Sequence, residues 1–229
     1  MSVSVDTVYQ RVLSILNKEQ RGYVTPQEFN LFANQAQMDL FEQYFYDINQ
    51  FGRMHGNDTE FSDMLNILNE KINIFEVTAA MTHAGAGLWT APSNLYRIGT
   101  IIYNNIEVER INKNEFLYVN VAPLTKPTDA RPVFVANSTG YKVYGAAPLT
   151  SGVTCNYIKR PATAQWAGTL VDGSSLQSSA NSVDFELHAS EETELVIKIL
   201  ELAGISTREL QVYQIAAQEE AKNTQQEKS

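Results

Sequence analysis

Few residues in this chain could do chemistry, and they are scattered. Its histidines are His55, His83 and His188, and its one cysteine is Cys155. None of them falls in an H-E-x-x-H pattern or a Cys/His cluster, which a zinc site would need. Cys155 lies between Thr154 and Asn156 in an alternating stretch. No base can be named for it, so it reads as a small core residue rather than a nucleophile. Gly85-Ala86-Gly87 is too short to cradle phosphate, and no Lys-Ser/Thr follows it. Asp172-Gly173 lacks the ladder of oxygen ligands of a calcium loop. The carboxylates spread along helical faces, so no pair stands out for glycoside hydrolysis. The expectation is a protein that is not an enzyme, with no catalytic residue, metal or cofactor.

Composition narrows the class. The chain has 229 residues, is 44% hydrophobic and 19% charged, and carries a formal net charge of −9. That length can bury a substantial core as one large or two small domains. The negative balance argues against an extended nucleic-acid-binding face, which needs clustered Lys and Arg. A lone cysteine excludes an intrachain disulfide and fits synthesis in a reducing compartment. No apolar run reaches the roughly 20 residues of a membrane span, and MSVSVDTVYQ does not read as a signal peptide. The Asn-x-Ser/Thr matches at Asn57 and Asn137 are therefore read as chance.

The periodicity runs helices, strands, helices. Val5, Val8, Tyr9, Val12, Ile15 and Leu16 recur at helical spacing, and the polar KEQRG ending at Gly22 breaks that helix. A second helix opens with Thr25 as cap, Pro26 in the first turn and Glu28 closing a capping box. It has two apolar faces. Phe29, Phe32, Ala33, Ala36, Leu40 and Tyr44 form one; Leu31, Met38, Phe41 and Phe45 form the other. Either both are buried in one domain, or a neighbouring subunit covers one. A loop through Gly52, Gly56 and Asn57 leads to a third helical pattern at Phe61, Met64, Leu65 and Leu68.

From about Asn73 to Asp184 the pattern is β. Phe75, Val77, Ala79 and Met81 alternate with polar or small neighbours, and Gly85-Ala86-Gly87 is a turn. Tyr96 to Tyr103 and Ile106 to Ile111 form a hairpin across Asn104-Asn105, since Asn tolerates the left-handed region. Residues 112 to 119 read as a short helix or irregular link, and Pro123, Pro127 and Pro132 mark a crossing loop. Strands follow at residues 132–137, 141–144 and 153–158, and Arg160-Pro161 ends the last. Residues 167–182, rich in Gly and Ser, read as a mobile loop. Trp89, Tyr96, Tyr103, Tyr118, Tyr141, Tyr144, Tyr157 and Trp166 fall in this half. They permit an alternative function, a glycan- or receptor-binding tail module, although tyrosine is also favoured on half-buried strands.

After residue 183 a well-marked helix returns. Ser190 suits an N-cap, with Glu191 and Glu192 in the first turn. Leu195, Val196, Ile199, Leu200, Leu202 and Ala203 share one arc, opposite Glu194, Lys198 and Glu201. Gly204 reads as a left-handed stop, and Ser206 with Glu209 as a capping box restarting the chain. Leu210, Tyr213, Ala216 and Ala217 form the apolar stripe of a last helix, faced by Gln211, Gln214 and Gln218. The closing QEEAKNTQQEKS is polar. The fold expected is α+β: a discontinuous helical bundle from residues 1–73 and 184–229, with an antiparallel β insertion over 74–183.

Several phrases together resemble a known group: RGYVTPQEFNLFANQAQMDLFEQYF, LWTAPSNLYRIGTIIYNNIEVERI, NYIKRPATAQW, DFELHASEETELVIKILELAGI and AAQEE. They look like a structural protein of tailed bacteriophages that infect Bacteroidetes, the crAss-like group. One position departs, Ala189, where proline is expected. Residues 167–182 are the least covered. The resemblance implies a ring-forming head–tail connector subunit, similar to the adaptors of short-tailed phages, which join a helical bundle to a β domain. It implies a dodecameric ring of this chain below the portal protein, beside a tail ring or tube protein. DNA would pass through the channel without sequence-specific binding, during genome ejection, and no membrane is involved. The chain would reside in the virion, after assembly in the bacterial cytoplasm. The residues expected at the subunit interface are Leu31, Met38, Phe41, Phe45, Tyr213, Gln214 and Gln218. Polar tails of this kind can order on a neighbouring ring. Removing everything after Ala217 is therefore expected to leave folding nearly intact and to weaken assembly. Unchanged incorporation of the truncated chain into rings, seen by electron microscopy, contradicts this.

Overall fold

The computed structural model describes residues 2–18, 24–51, 59–171, 174–178, 180–207, 218, 219 and 222. The break at Gly22, the loop with Gly52, His55, Gly56 and Asn57, the pair Asp172-Gly173, Glu209, Tyr213 and Gln214 lie outside these residues, as does most of the polar C-terminal stretch. The chain is α+β, with helical segments flanking a β region. It divides into two compact units, residues 1–74 with 161–229, and residues 75–160. The second boundary thus falls at Arg160/Pro161, not at residue 183.

In the first unit, α1 spans Val5–Lys18, α2 Pro26–Phe51, α3 Thr59–Asn73 and α5 Glu192–Thr207; α4 belongs to the other unit. The capping box opens α2. Glu28 Oε2 accepts from Thr25 N–H at 2.9 Å, and Thr25 Oγ1 accepts from Glu28 N–H at 3.3 Å. The bonds from the Thr25 backbone and hydroxyl hold the Glu28 carboxyl below its usual value. The first turn of α1 is capped from far away in sequence: Asp184 Oδ1 accepts from Val5 N–H at 2.9 Å. Val5, Val8, Tyr9, Val12, Leu16, Phe29, Ala33, Ala36 and Leu40 are buried, and so are Leu195, Val196, Ile199, Leu200 and Ala203 of α5.

The segment returning from Arg160 is bound to α2 by amide side chains. Asn30 Oδ1 accepts from Trp166 N–H at 2.8 Å, and its Nδ2 donates to Trp166 O at 3.0 Å. Asn34 repeats the pair on Ala164, accepting at 2.9 Å and donating at 2.8 Å. Gln37 Nε2 donates to Ala162 O at 2.8 Å. The spacing matches because one helical turn from i to i+4 rises about 6 Å and two extended residues span about 6.6 Å. On the third rung, Ala162 N–H donates instead to Glu186 Oε2 at 2.9 Å, which leaves the buried Gln37 Oε1 without a partner. Trp166, anchored this way, packs its ring 4.2 Å from Tyr9 and donates Nε1–H to Asp6 Oδ1 at 2.9 Å. It belongs to the helical unit, not to the β half.

Three further sequence expectations are corrected. Residues 167–182 contain a hairpin, β10 Gly168–Val171 against β11 Ser174–Gln177. Val171 pairs with Ser174, so two residues separate the strands; they are Asp-Gly, a pair favoured in tight hairpins. The cap before α5 is His188, whose Nδ1 accepts from Ser190 N–H at 3.3 Å, while Ser190 lies within a 3-10 turn at Ala189–Glu191. Ser190 Oγ donates to Glu191 Oε1, and Glu191 is buried with Lys71 Nζ at 2.6 Å, tying α3 to this turn. Gly204 does not stop α5, which runs on to Thr207. Gly204 is buried beside Ala203, and tertiary packing there outweighs glycine's weak helix propensity. Ser206 is accordingly helical, and Glu209, its partner in the expected capping box, lies outside the described residues.

The second unit is a barrel. Its strands are β1 Glu76–Ala80, β2 Thr82–Gly85, β3 Leu88–Thr90, β4 Leu95–Tyr103, β5 Ile106–Glu107, β6 Glu109–Arg110, β7 Val133–Asn137, β8 Gly140–Tyr144 and β9 Val153–Lys159. One sheet runs β1-β9-β4-β5 and the other β2-β3-β8-β7-β6. β1 passes into β2 through Met81, and β5 into β6 through Val108, so the chain joins the two sheets at both of these corners. Met81 and Val108 both point into one core with Trp89, Ile101, Phe134, Val143, Cys155 and Tyr157. Asn104 and Asn105 have φ of 47° and 63°, the two-residue turn that matches strand twist. β6 and β7 are parallel, which demands a crossover, and α4 Lys113–Val121 supplies it.

Ile199→Ala should destabilise the protein by about 2–5 kcal/mol in a urea titration, since its side chain is fully buried. Asn34→Leu strands the N–H and C=O of Ala164 and should cost about 2–4 kcal/mol in the same measurement. Full stability of either variant contradicts the packing described.

Candidate interaction surface

The residues first considered for chemistry do not converge. Cys155 is buried in the barrel core, and burial pushes its thiol pKa up, away from the reactive thiolate. The His83 ring lies 4.9 Å from Trp89 within the barrel, and His188 caps a helix in the other unit. Among the described residues, no group of three or more His, Cys, Asp or Glu could hold a metal ion, and no helix is long and apolar enough to cross a membrane. A shallow groove lies on the outer face of β1, β9 and β4, between Glu76, Thr78, Thr100 and Asn156. A Cβ at Gly99 would come within 3.0 Å of Asn156 O, so glycine lets the strands approach there. Thr78 Oγ1 already donates to Asn156 Oδ1 at 2.7 Å, which leaves the groove little unsatisfied polarity.

Exposed apolar surface is the unusual feature; among the described residues its most exposed group lies on and just after α4, and Leu31 and Tyr46 stand out on α2. α4 has no buried residue. Phe116 stacks on Tyr144 of the barrel at 4.2 Å and so fixes the helix's inner side. Outward stand Leu117, Tyr118 and Val121, 66%, 78% and 81% exposed, and Leu124 in the following turn is 95% exposed. With Lys113, the helical residues Leu117, Tyr118 and Val121 cover an arc of about 140° on the helical wheel, and Glu115 falls on the other side. Ala122 N–H donates to Tyr118 O at 3.2 Å and Lys126 N–H to Ala122 O at 3.0 Å, which carries the turn on past the helix. Sequence reading passed over this stripe because the segment is short. The signal was present in the spacing of Leu117, Val121 and Leu124, which repeats at four and three residues.

On α2 the second apolar face is narrower than its residue types suggest. Leu31 is 71% exposed and Tyr46 66% exposed. Met38 and Phe45 are half-buried between them. All four lie within about 60° of Leu31 on the wheel, together with the acidic Glu28 and Glu42. Phe41 is corrected: it is fully buried, with its ring 5.1 Å from Phe45, and has no area to offer another subunit. It continues the row of Asn30, Asn34 and Gln37, the side of α2 that the returning chain occupies. Tyr213 and Gln214 are outside the described residues; Gln218 is helical and exposed.

Charge divides between the units. Residues 75–160 hold eight basic and five acidic side chains, a net +3, and the rest of the chain holds nine basic and twenty-one acidic, a net −12. The α4 stripe is bracketed by the exposed Lys113 and Lys126, whereas α2 carries Glu28, Asp39 and Glu42 along its outer side.

No family model matches the chain, and no curated protein matches it.

Cys155 should stay unreactive toward a thiol reagent at neutral pH in the folded protein and react fully in denaturant. Fast labelling of the native protein overturns its place in the core.

Proposed function

We propose that this chain is a structural virion protein, one subunit of a head–tail connector or tail ring that extends the portal channel for DNA. The observation that carries this reading is the exposed apolar surface of α4 and the turn after it, together with Leu31 and Tyr46 exposed on α2, while among the described residues the potentially reactive side chains are dispersed. Contiguous exposed apolar surface of this kind marks interaction sites. The α+β make-up, with helical segments on both sides of a β region, agrees with the connector proteins that the sequence resembles. The negative net charge suits a conduit, since repulsion from the wall keeps DNA from sticking during passage. The partners under this reading are further copies of the chain, the portal protein and an adjacent tail ring. The glycan-binding alternative loses support because Trp89 and Trp166 are both buried, so neither ring has a free face for stacking on sugar.

Light scattering and electron microscopy of the purified chain, alone and with portal protein, test the proposal. The expected outcome is a ring of about twelve copies, formed through heterologous contacts. A strict monomer that joins neither portal nor tail rings overturns it.

A further inference from the structure

We infer that the α4 stripe of one copy docks on the outer stripe of α2 in a second copy, forming a heterologous contact. The inference rests on the ring reading and names the surfaces that would meet. Three observations carry it. Both surfaces expose large apolar side chains, Leu117 and Val121 on α4 with Leu124 just after it, and Leu31 and Tyr46 on α2. Their charges are opposite: Lys113 and Lys126 stand about one, while Glu42 stands among the apolar residues of the other with Asp39 beside them. The units that bear them have opposite net charge, +3 and −12, so unlike units of two copies attract while like units repel.

The geometry is that of helix on helix. α2 is 26 residues long and α4 is nine, so the short helix covers only part of the longer one. Side chains at three- and four-residue spacing on each would interlock as ridges into grooves. A contact that joins two different surfaces leaves each copy with one of each unused, so copies continue to add until a ring closes. An isologous dimer through α4 alone would bring Lys113 and Lys126 against their own copies, and the charges disfavour it.

A charge exchange on the full-length chain tests the contact. The variant Lys113→Glu/Lys126→Glu and the variant Asp39→Lys/Glu42→Lys should each associate about tenfold more weakly than wild type in sedimentation velocity, since like charges then face each other. Mixed in equal amounts the two should recover association, because each then offers the other an opposite-charged stripe. A Tyr118→Cys/Leu31→Cys variant, whose native Cys155 is buried, should crosslink between copies with a short bismaleimide. Circular dichroism confirms that each variant is folded. Rings that persist in both charge variants, or variants that weaken without recovering on mixing, overturn this contact and leave the ring reading standing. A wild type that is monomeric alone and with portal overturns both.

Discussion

The amide ladder on α2 is the interaction on which the helical unit depends. Extended backbone entering a helical core brings N–H and C=O groups that must be paired. A helix cannot pair them with its own backbone, which is already used. Asn30, Asn34 and Gln37 supply side-chain amides at one helical turn's spacing, so the helix presents donors and acceptors as an adjoining strand would. This seats Trp166 against Tyr9, and through Asp6 it ties the start of the chain to the segment at residue 166. The same logic appears where Asp184 caps α1 and where Val3 bridges to Phe185. Contacts between residues more than a hundred positions apart thus join the two halves of one discontinuous unit.

The barrel solves a different problem. Its short strands would leave two sheets with open edges. Two strands bend at Met81 and Val108 and cross from one sheet to the other, so each bend places a side chain in the shared core. Parallel pairing of β6 with β7 then forces a crossover, and α4 is that crossover. Because the core is already filled, α4 rests on the barrel through Phe116 and leaves its other apolar side chains in solvent. Leu117, Tyr118 and Val121 make no use of burial within the unit, which is why they draw attention as an interaction surface.

Much of the fold was legible from residues whose signals act over a few positions. Thr25-Pro26 and Glu28 placed the start of α2, Asn104-Asn105 the hairpin, and the spacing of Leu195, Val196 and Ile199 the buried side of α5. The misjudged positions share one cause. Gly204 has a local preference for ending a helix, yet burial of α5 keeps it helical. Ser190 is a better cap by type than His188, yet its hydroxyl turns to Glu191, which is paired with Lys71. Phe41 looked like surface for a partner, but the returning chain occupies that side of α2. The candidate interface was half legible. Leu31, Met38 and Phe45 were read from α2, whereas the α4 stripe and the division of charge needed the units to be drawn first.

The sequence by itself determined the order of elements, the α+β class, the capping box of α2, the turns at residues 85–87 and 104–105, and the dispersal of residues able to do chemistry. Each of these depends on neighbours along the chain, whose influence on backbone angles decays within a turn or two. Only the tertiary structure decided that residues 161–183 belong with the helices, that the two sheets share one core, and which apolar side chains stay exposed. Those outcomes depend on pairing between residues far apart in sequence, on which partner a given N–H, carboxylate or apolar face meets first. Residue type constrains such pairing, but many partners satisfy it equally well until the chain has folded.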